Sequence, residues 1–405
     1  MSEPETVGPG ELEAFEHALH DAFHDDAVPG DVELDMKTLE PERTFVIRDD
    51  GAIVAGATTL SRTMTLPGGA AVPVGAVSGV GVRPGHTRRG HLGALMRRQL
   101  DEIHEAGESL AILWASEGAI YGRFGYGSAT RRVTYELDRV RAAFRADAVL
   151  PPAPAQVARP AAALEDMRRA YERALPTRPG MLDRDDRWWE RVLYDPEHRR
   201  EGTGARRLAV QRDAGGEPAG YALYAVTDAW GDQGPEGGVK VREIVAATPE
   251  AQLGLWRYLL SIDLMRAVSW PQAPDHDPIV HALRSTDAVR RTLHAHGLWL
   301  RLVDAPAALA ARDYSAPLDV VLELEDDFCA WNAGRYSLTN DGCEPTGREP
   351  DLVLAAEALG AAYLGATPLT ALAGAGRVRE RTPGALRAAT AAFGGFAEPY
   401  CPEHF

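Results

Sequence analysis

The stretch from Val77 to Tyr126 constrains the chain most, because three elements with different hydrophobic periods follow one another at short spacing. Residues 77–82 form a short apolar run that Pro84 stops, since proline has no amide hydrogen for a sheet. Leu92, Leu95, Met96, Leu100 and Ile103 then recur every three or four residues, which predicts a helix from near Gly90 to about Gly107. Leu110-Ala111-Ile112-Leu113-Trp114-Ala115 is a second apolar run of strand length. Strand, helix and strand in this order predict a β-α-β unit with parallel strands and a right-handed crossover.

Such a unit has two chemical ends. The first turn of a helix carries amides with no partner inside it, which favour anions, and Arg88 and Arg89 add positive charge there. Gly90 lets a phosphate approach the backbone. Where two parallel strands splay, the exposed edge of the first can pair with an extended, amide-rich ligand such as pantetheine. Tyr121 follows the second strand by six residues and is expected at the mouth of the same cleft. Gly79-Val80-Gly81-Val82-Arg83-Pro84-Gly85 is not a dinucleotide fingerprint: its spacing is wrong, and its first two glycines lie inside the strand.

Three motifs together resemble the GNAT N-acetyltransferase superfamily: Val80-Gly81-Val82-Arg83-Pro84, the Arg88-Arg89-Gly90 loop, and Ile120-Tyr121-Gly122-Arg123-Phe124-Gly125-Tyr126. The loop departs from the superfamily pattern, with Thr87 in place of Arg/Gln and Leu92 in place of Gly/Ala; Arg88, Arg89 and Gly93 are expected to compensate. Arg88-Arg89-Gly90-His91-Leu92 and the run from Ser116 to Gly127 resemble one branch, the Eis (enhanced intracellular survival) type, whose members have about this length and end in an aromatic residue. The resemblance implies acetyl-CoA as co-substrate, no metal, and a general-acid role for Tyr121. It implies cofactor contacts from Val80, Gly81, Val82, Arg88, Arg89, Gly90, His91, Leu92, Gly93, Ser116 and Glu117. It further implies a homohexamer, cationic acceptors such as aminoglycosides or protein lysines, and a C-terminal carboxylate on Phe405 beside Tyr121.

A weak internal repeat organises the rest. Val46 to Gly56 matches Val210 to Gly220 in register, each read as a strand, a tight turn and a returning strand. Leu92-Gly93 corresponds to Leu253-Gly254, but the second copy has Thr248-Pro249-Glu250-Ala251-Gln252 before it, an acidic segment that cannot favour a phosphate. Two copies of one domain follow, only the first binding cofactor, with the Pro/Ala stretch 150–160 as linker. Trp188 and Trp189 read as core or inter-domain packing residues. In the last third, residues 318–324 and 331–338 read as strands and 352–364 as an amphipathic helix, a tail resembling a sterol-carrier-protein fold. The expectation is therefore a mixed α+β and α/β chain: residues 1–145 a catalytic GNAT domain, 146–295 a degenerate one, and 296–405 a sterol-carrier-like domain whose end reaches the active site. A non-enzymatic lipid-binding module is the alternative that this tail raises.

Composition closes off other classes. At 405 residues with 45% apolar and 25% charged content, the chain is long enough for two or three ordinary globular cores. A net charge of -16 argues against nucleic acid and for cationic ligands. Cys329, Cys343 and Cys401 form no disulfide framework, which suits a reducing cytoplasm. Cys401-Pro402-Glu403-His404 falls short of a zinc signature. The uncharged stretch 358–376 is Ala- and Gly-rich and broken by Pro368, a buried helix and turn rather than a membrane span. Asp25, Asp26 and Glu403 are the acidic residues expected to line an acceptor site. Direct transfer in a ternary complex is the expected route, because no Ser-His-Asp or Cys-His pattern surrounds the motifs.

Overall fold

A computed structural model describes residues 3–232, 234–294 and 297–405. Along the chain, a two-residue strand β1 (Glu5–Thr6) precedes helices α1 (Leu12–Phe23) and α2 (Pro29–Met36). Then come β2 (Thr44–Asp49), β3 (Ala52–Thr65), β4 (Ala71–Val82), α3 (His91–Glu105), β5 (Leu110–Trp114), α4 (Gly118–Tyr121), β6 (Gly127–Ser128) and β7 (Arg132–Asp138). The middle third holds β8 (Gln156–Ala158), α5 (Leu164–Ala174), α6 (Asp186–Leu193), β9 (Arg207–Arg212), β10 (Pro218–Thr227), a ribbon of β11 (Trp230–Gly231) and β12 (Gly234–Pro235), β13 (Gly237–Ala246), α7 (Pro249–Ser261), β14 (Met265–Ala273), α8 (Ile279–Ala282) and β15 (Val289–His294). The last third holds β16 (Leu298–Leu302), α9 (Ala305–Ala311), β17 (Asp319–Glu325), β18 (Gly334–Thr339), β19 (Gly342–Pro345), β20 (Leu352–Ala355), α10 (Ala356–Tyr363) and β21 (Val378–Glu380).

Two seven-stranded sheets and one five-stranded sheet result. The first runs β1-β2-β3-β4-β5-β16-β6, the second β15-β7-β14-β13-β10-β9-β8, and the third β19-β18-β17-β20-β21. The sheets do not divide at residue 145. β7 pairs into the second sheet between β14 and β15, while β16 returns to the first sheet between β5 and β6. The expected boundary between 295 and 296 lies outside the described residues. The apolar faces of the first and third sheets meet in one core, where Leu300 and Leu302 pack with Leu322, Leu354 and Leu359.

The β-α-β unit is present, and β4 and β5 pair in parallel at Gly75/Ala111, Ala76/Ile112 and Val77/Leu113. β4 begins at Ala71, six residues before the apolar run suggested, because Val72 and Val74 extend the alternation across the hairpin from β3. The repeat holds too, with unequal turns. Asp50 and Gly51, both at positive φ, close the β2–β3 hairpin, whereas Asp213 to Glu217 make a wider loop between β9 and β10. Residues 150–160 are not a free linker, since Gln156–Ala158 adds β8 to the edge of the second sheet.

Residues 352–364 are not one amphipathic helix. Leu352–Ala355 is a strand parallel to β17, and Ala356–Tyr363 is a helix buried nearly all round. A short Leu-Val-Leu run with no polar alternation suits a strand covered on both faces. The strand read at 331–338 starts at Gly334, after a 3-10 turn over Ala330–Asn332. No helix among the described residues is long and apolar enough to cross a membrane.

Candidate active site

A cavity of about 580 Å³ lies where α1, α2, the diverging ends of β4 and β5, α6 and the C-terminus converge. Its opening between the strands has a local cause. Gly56 faces Gly81 and Thr58 faces Ser78, so β4 carries an extra residue at this point, a bulge that includes Gly79. Gly79 has φ 57, and a Cβ there would sit 3.0 Å from Leu19 of α1. Pairing with β5 ends at Val77, and Ser78, Gly79 and Val80 face the cavity together with Trp114, Ala115 and Ser116.

At the phosphate end, Gly90 caps α3 with φ 88, and Arg88 has φ 62. These left-handed residues turn the loop so that the amides of His91, Leu92 and Gly93 stand at the helix start, where an anion is favoured. A Cβ on Gly93 would meet nothing within 4 Å among the described residues, so the approach is open. Arg89 donates to the Gly85 carbonyl at 2.7 Å and lies 3.7 Å from Asp49. The exposed Arg88 has no protein partner among the described residues, and these groups fit a pyrophosphate. The equivalent helix α7 is closed: Thr248 accepts from the Ala251 amide at 3.2 Å, Pro249 occupies the first position and Glu250 follows.

Two tyrosines follow β5, and their surroundings differ. Tyr121 lines the cavity at the end of α4, and its hydroxyl has no hydrogen-bond partner among the described residues. Burial raises its pKa, so it stays a phenol and a proton donor. Tyr126 packs edge-on against it at 6.3 Å, is fully buried, and does not line the cavity.

The C-terminus arrives from the third domain. The Tyr400 amide donates to the Pro179 carbonyl at 2.9 Å, and its hydroxyl donates to the Gln272 carbonyl at 2.7 Å. His404 stacks on Trp114 at 5.2 Å, and Phe405 lines the cavity with Tyr121.

Of the other residues read from sequence, Val80, Ser116 and Asp25 line the cavity. Gly81 lets α1 pack closely, a Cβ there lying 3.0 Å from Leu19 and 3.1 Å from Ala22. Val82 ends β4, Glu117 precedes α4, and Asp26 is exposed beside the cavity-lining Asp25. Glu403 is not an acceptor contact. Its carboxylate is buried in an ion pair with Arg184, which also donates to Glu243 at 3.1 Å. Glu16 and His20 on α1, Asp35 on α2, Arg191 on α6 and Arg132 on β7, none of them marked in the sequence, also stand on the cavity wall, as does Trp188 of α6. Trp188 joins the large shared core and is also a cavity wall, with the Arg62 guanidinium 3.9 Å from its ring centre. Local pattern carries no signal for this group, which assembles only when both domains meet.

Residues 3–129 match the family described as acetyltransferase (GNAT) domain, residues 180–302 match a second family of that description, and residues 305–402 match the sterol carrier protein domain. An enzyme named N-acetyltransferase Eis from Mycobacterium tuberculosis is 35% identical over 372 residues, 88% of each chain. The chain belongs to the Eis family of GNAT N-acetyltransferases. It is an acyltransferase with two GNAT domains followed by a sterol-carrier-like domain. Its relatives include an uncharacterized N-acetyltransferase of Streptomyces avermitilis, 42% identical over 379 residues and 92% of each chain. The crystal structure of Eis1 from Mycobacterium abscessus superposes over 100% of both chains with a TM-score of 0.89 at 33% identity.

Proposed function

We propose that this Eis-family enzyme transfers the acetyl group of acetyl-CoA directly to an amine of a polycationic acceptor of the aminoglycoside type. The observation that carries the reading is one cavity lined by both Tyr121 and the terminal residue Phe405, with three acidic side chains on its wall. β4 beyond Val77 offers its edge to the amide-rich arm of the co-substrate, and the start of α3 with Arg88 and Arg89 takes the pyrophosphate. Val80, Gly81, Val82, Gly90, His91, Leu92, Gly93, Ser116 and Glu117 complete this assignment.

Charge accounting gives the remaining roles. An alkyl ammonium has a pKa near ~10.4, so the acceptor must lose a proton before it attacks the thioester carbonyl. The Phe405 carboxylate takes that proton, directly or through a water it orients. As the carbon–sulfur bond breaks, the Tyr121 hydroxyl gives its proton to the leaving thiolate, and the acetyl carbon stays on nitrogen as an amide. Burial pushes the Cys329 thiol up to about 11 and those of Cys343 and Cys401 to about 12, and none lines the cavity, which supports direct transfer over a cysteine acyl-enzyme. The Eis resemblance supports a homohexamer, and the composition supports a cytoplasmic setting.

A CoA-release assay across aminoglycosides, linear polyamines and lysine peptides, with product masses counting acetyl groups, tests the reading. Turnover confined to lysine peptides would replace the acceptor class, and turnover on no amine would overturn the activity. Intersecting double-reciprocal lines are expected; parallel lines would refute the ternary complex.

A further inference from the structure

Glu16 stands apart from the other acids on the cavity wall. Asp35 is ion-paired with Arg191, and Asp25 lies 3.9 Å from His20. Glu16 has neither a hydrogen bond nor an ion pair among the described residues, although it lines the cavity and is only 6% exposed. A carboxylate this far buried without a partner is costly, and on a cavity wall that cost is met by holding a proton or by a cation from outside the protein. The nitrogen that attacks a thioester must be uncharged, whereas the partner of this carboxylate must be charged. They are different nitrogens.

We propose that Glu16 is an acceptor-recognition residue that binds a second ammonium group of the substrate, so that the site prefers amines with two or more cationic centres to monoamines. The inference rests on the acetyl-transfer reading for the substrate's identity, not for the binding itself. Burial, then the negative charge of Asp35, holds the Glu16 carboxyl up at about 7, with Arg191 opposing. Asp35 faces it from α2 and Arg191 from α6. The rest of the wall carries His20 of its own helix, Asp25, Arg132 of β7, and the terminal pair His404 and Phe405. In the empty cavity near neutral pH, Glu16 therefore exchanges a proton readily. A polycation supplies the missing counter-charge, so its binding expels that proton.

Calorimetric titration of the full-length protein with 1,5-diaminopentane and with 1-aminopentane, at pH 6.5 in two buffers of different ionisation enthalpy, tests this. The diamine is expected to bind more tightly and to release roughly half a proton or more, by the linkage of binding to protonation. Glu16→Gln should weaken diamine binding about 10- to 100-fold, the range for hydrogen bonds to charged groups, and abolish the release. Equal affinity for the two amines, diamine binding without proton release in the wild type, or an unchanged diamine affinity in Glu16→Gln would each overturn the proposal. The wild-type proton count needs no variant to fold. Because binding requires no turnover, diamine binding through Glu16 together with CoA release on no amine would sink the transfer reading alone.

Discussion

Arg184 clasps Glu403 from the second domain, two residues before the chain ends, and the same guanidinium holds Glu243 and lies 4.0 Å over the Tyr171 ring. This buried pair anchors the tail two residues before Phe405, alongside the stacking of His404 on Trp114. Breaking such a pair strands a charge, but Arg184 would keep Glu243, so Glu403→Gln should cost towards the lower end of about 3–5 kcal/mol in urea unfolding. In steady-state kinetics the same variant should lose at least tenfold in kcat through misplacement of the terminus, with acetyl-CoA affinity intact. Unchanged kcat would show that the anchor does not set the position of the end proposed to act in catalysis.

The two tyrosines should separate cleanly. Tyr121→Phe is expected to lower kcat by roughly 10²–10⁴-fold, the usual weight of a general acid, without changing acetyl-CoA binding. The Tyr126 hydroxyl is buried with no hydrogen-bond partner among the described residues. Removing an unsatisfied buried hydroxyl should leave stability equal or about 1 kcal/mol higher, so Tyr126→Phe should fold and turn over normally. An inactive, folded Tyr126→Phe would reverse the assignment.

Extending the chain beyond Phe405 converts its carboxylate to an amide and fills the cavity. A four-residue C-terminal extension should reduce kcat strongly, while an N-terminal extension of the same length should be tolerated. The measurement is CoA release by two proteins with equal thermal midpoints, and equal rates would remove Phe405 from the mechanism.

Glu16 also makes stability depend on pH. Its folded pKa of about 7 lies above the ordinary value of 4.5, so between those pH values the folded state holds a proton that the unfolded chain has lost. Folding is therefore progressively disfavoured as pH rises from about 4.5 to 7, by up to roughly 3 kcal/mol at 1.36 kcal/mol per unit. Glu16→Gln should raise the thermal midpoint at pH 8 and leave it near wild type at pH 4.5. A pH-independent difference would mean that the carboxyl does not titrate as described.

The elements of the proposed cofactor half were largely legible in sequence, because they are local. The helix from His91, the strand from Leu110 and Tyr121 lie within about thirty residues of one another, and periodicity of 3.6 and length marked each element. The acceptor half was not. Glu16 looks like any charged residue on an amphipathic surface helix, and only the approach of α2, α6 and the tail converts it into a wall. Leu352 to Leu354 failed for another reason: a short all-apolar run fits a buried strand or a buried helix equally, and the parallel partner β17 decides. The bulge at Gly79 left a trace in the glycine-rich strand, but the spacing alone does not say which way the strand bends.

The exchange of β7 and β16 between sheets sets an order on the birth of the enzyme. The first sheet stays open beside β5 until Leu298–Leu302 has been made, and the second cannot close without Arg132–Asp138, supplied long before its neighbours. Domains that emerge in sequence from a ribosome usually fold one after another. Here the first must wait for most of the second, and the cavity waits longer still, for the tail residues His404 and Phe405 that form part of its wall. A chain cut short within its last third therefore carries β4, α3 and Tyr121 beside a cavity with one wall missing.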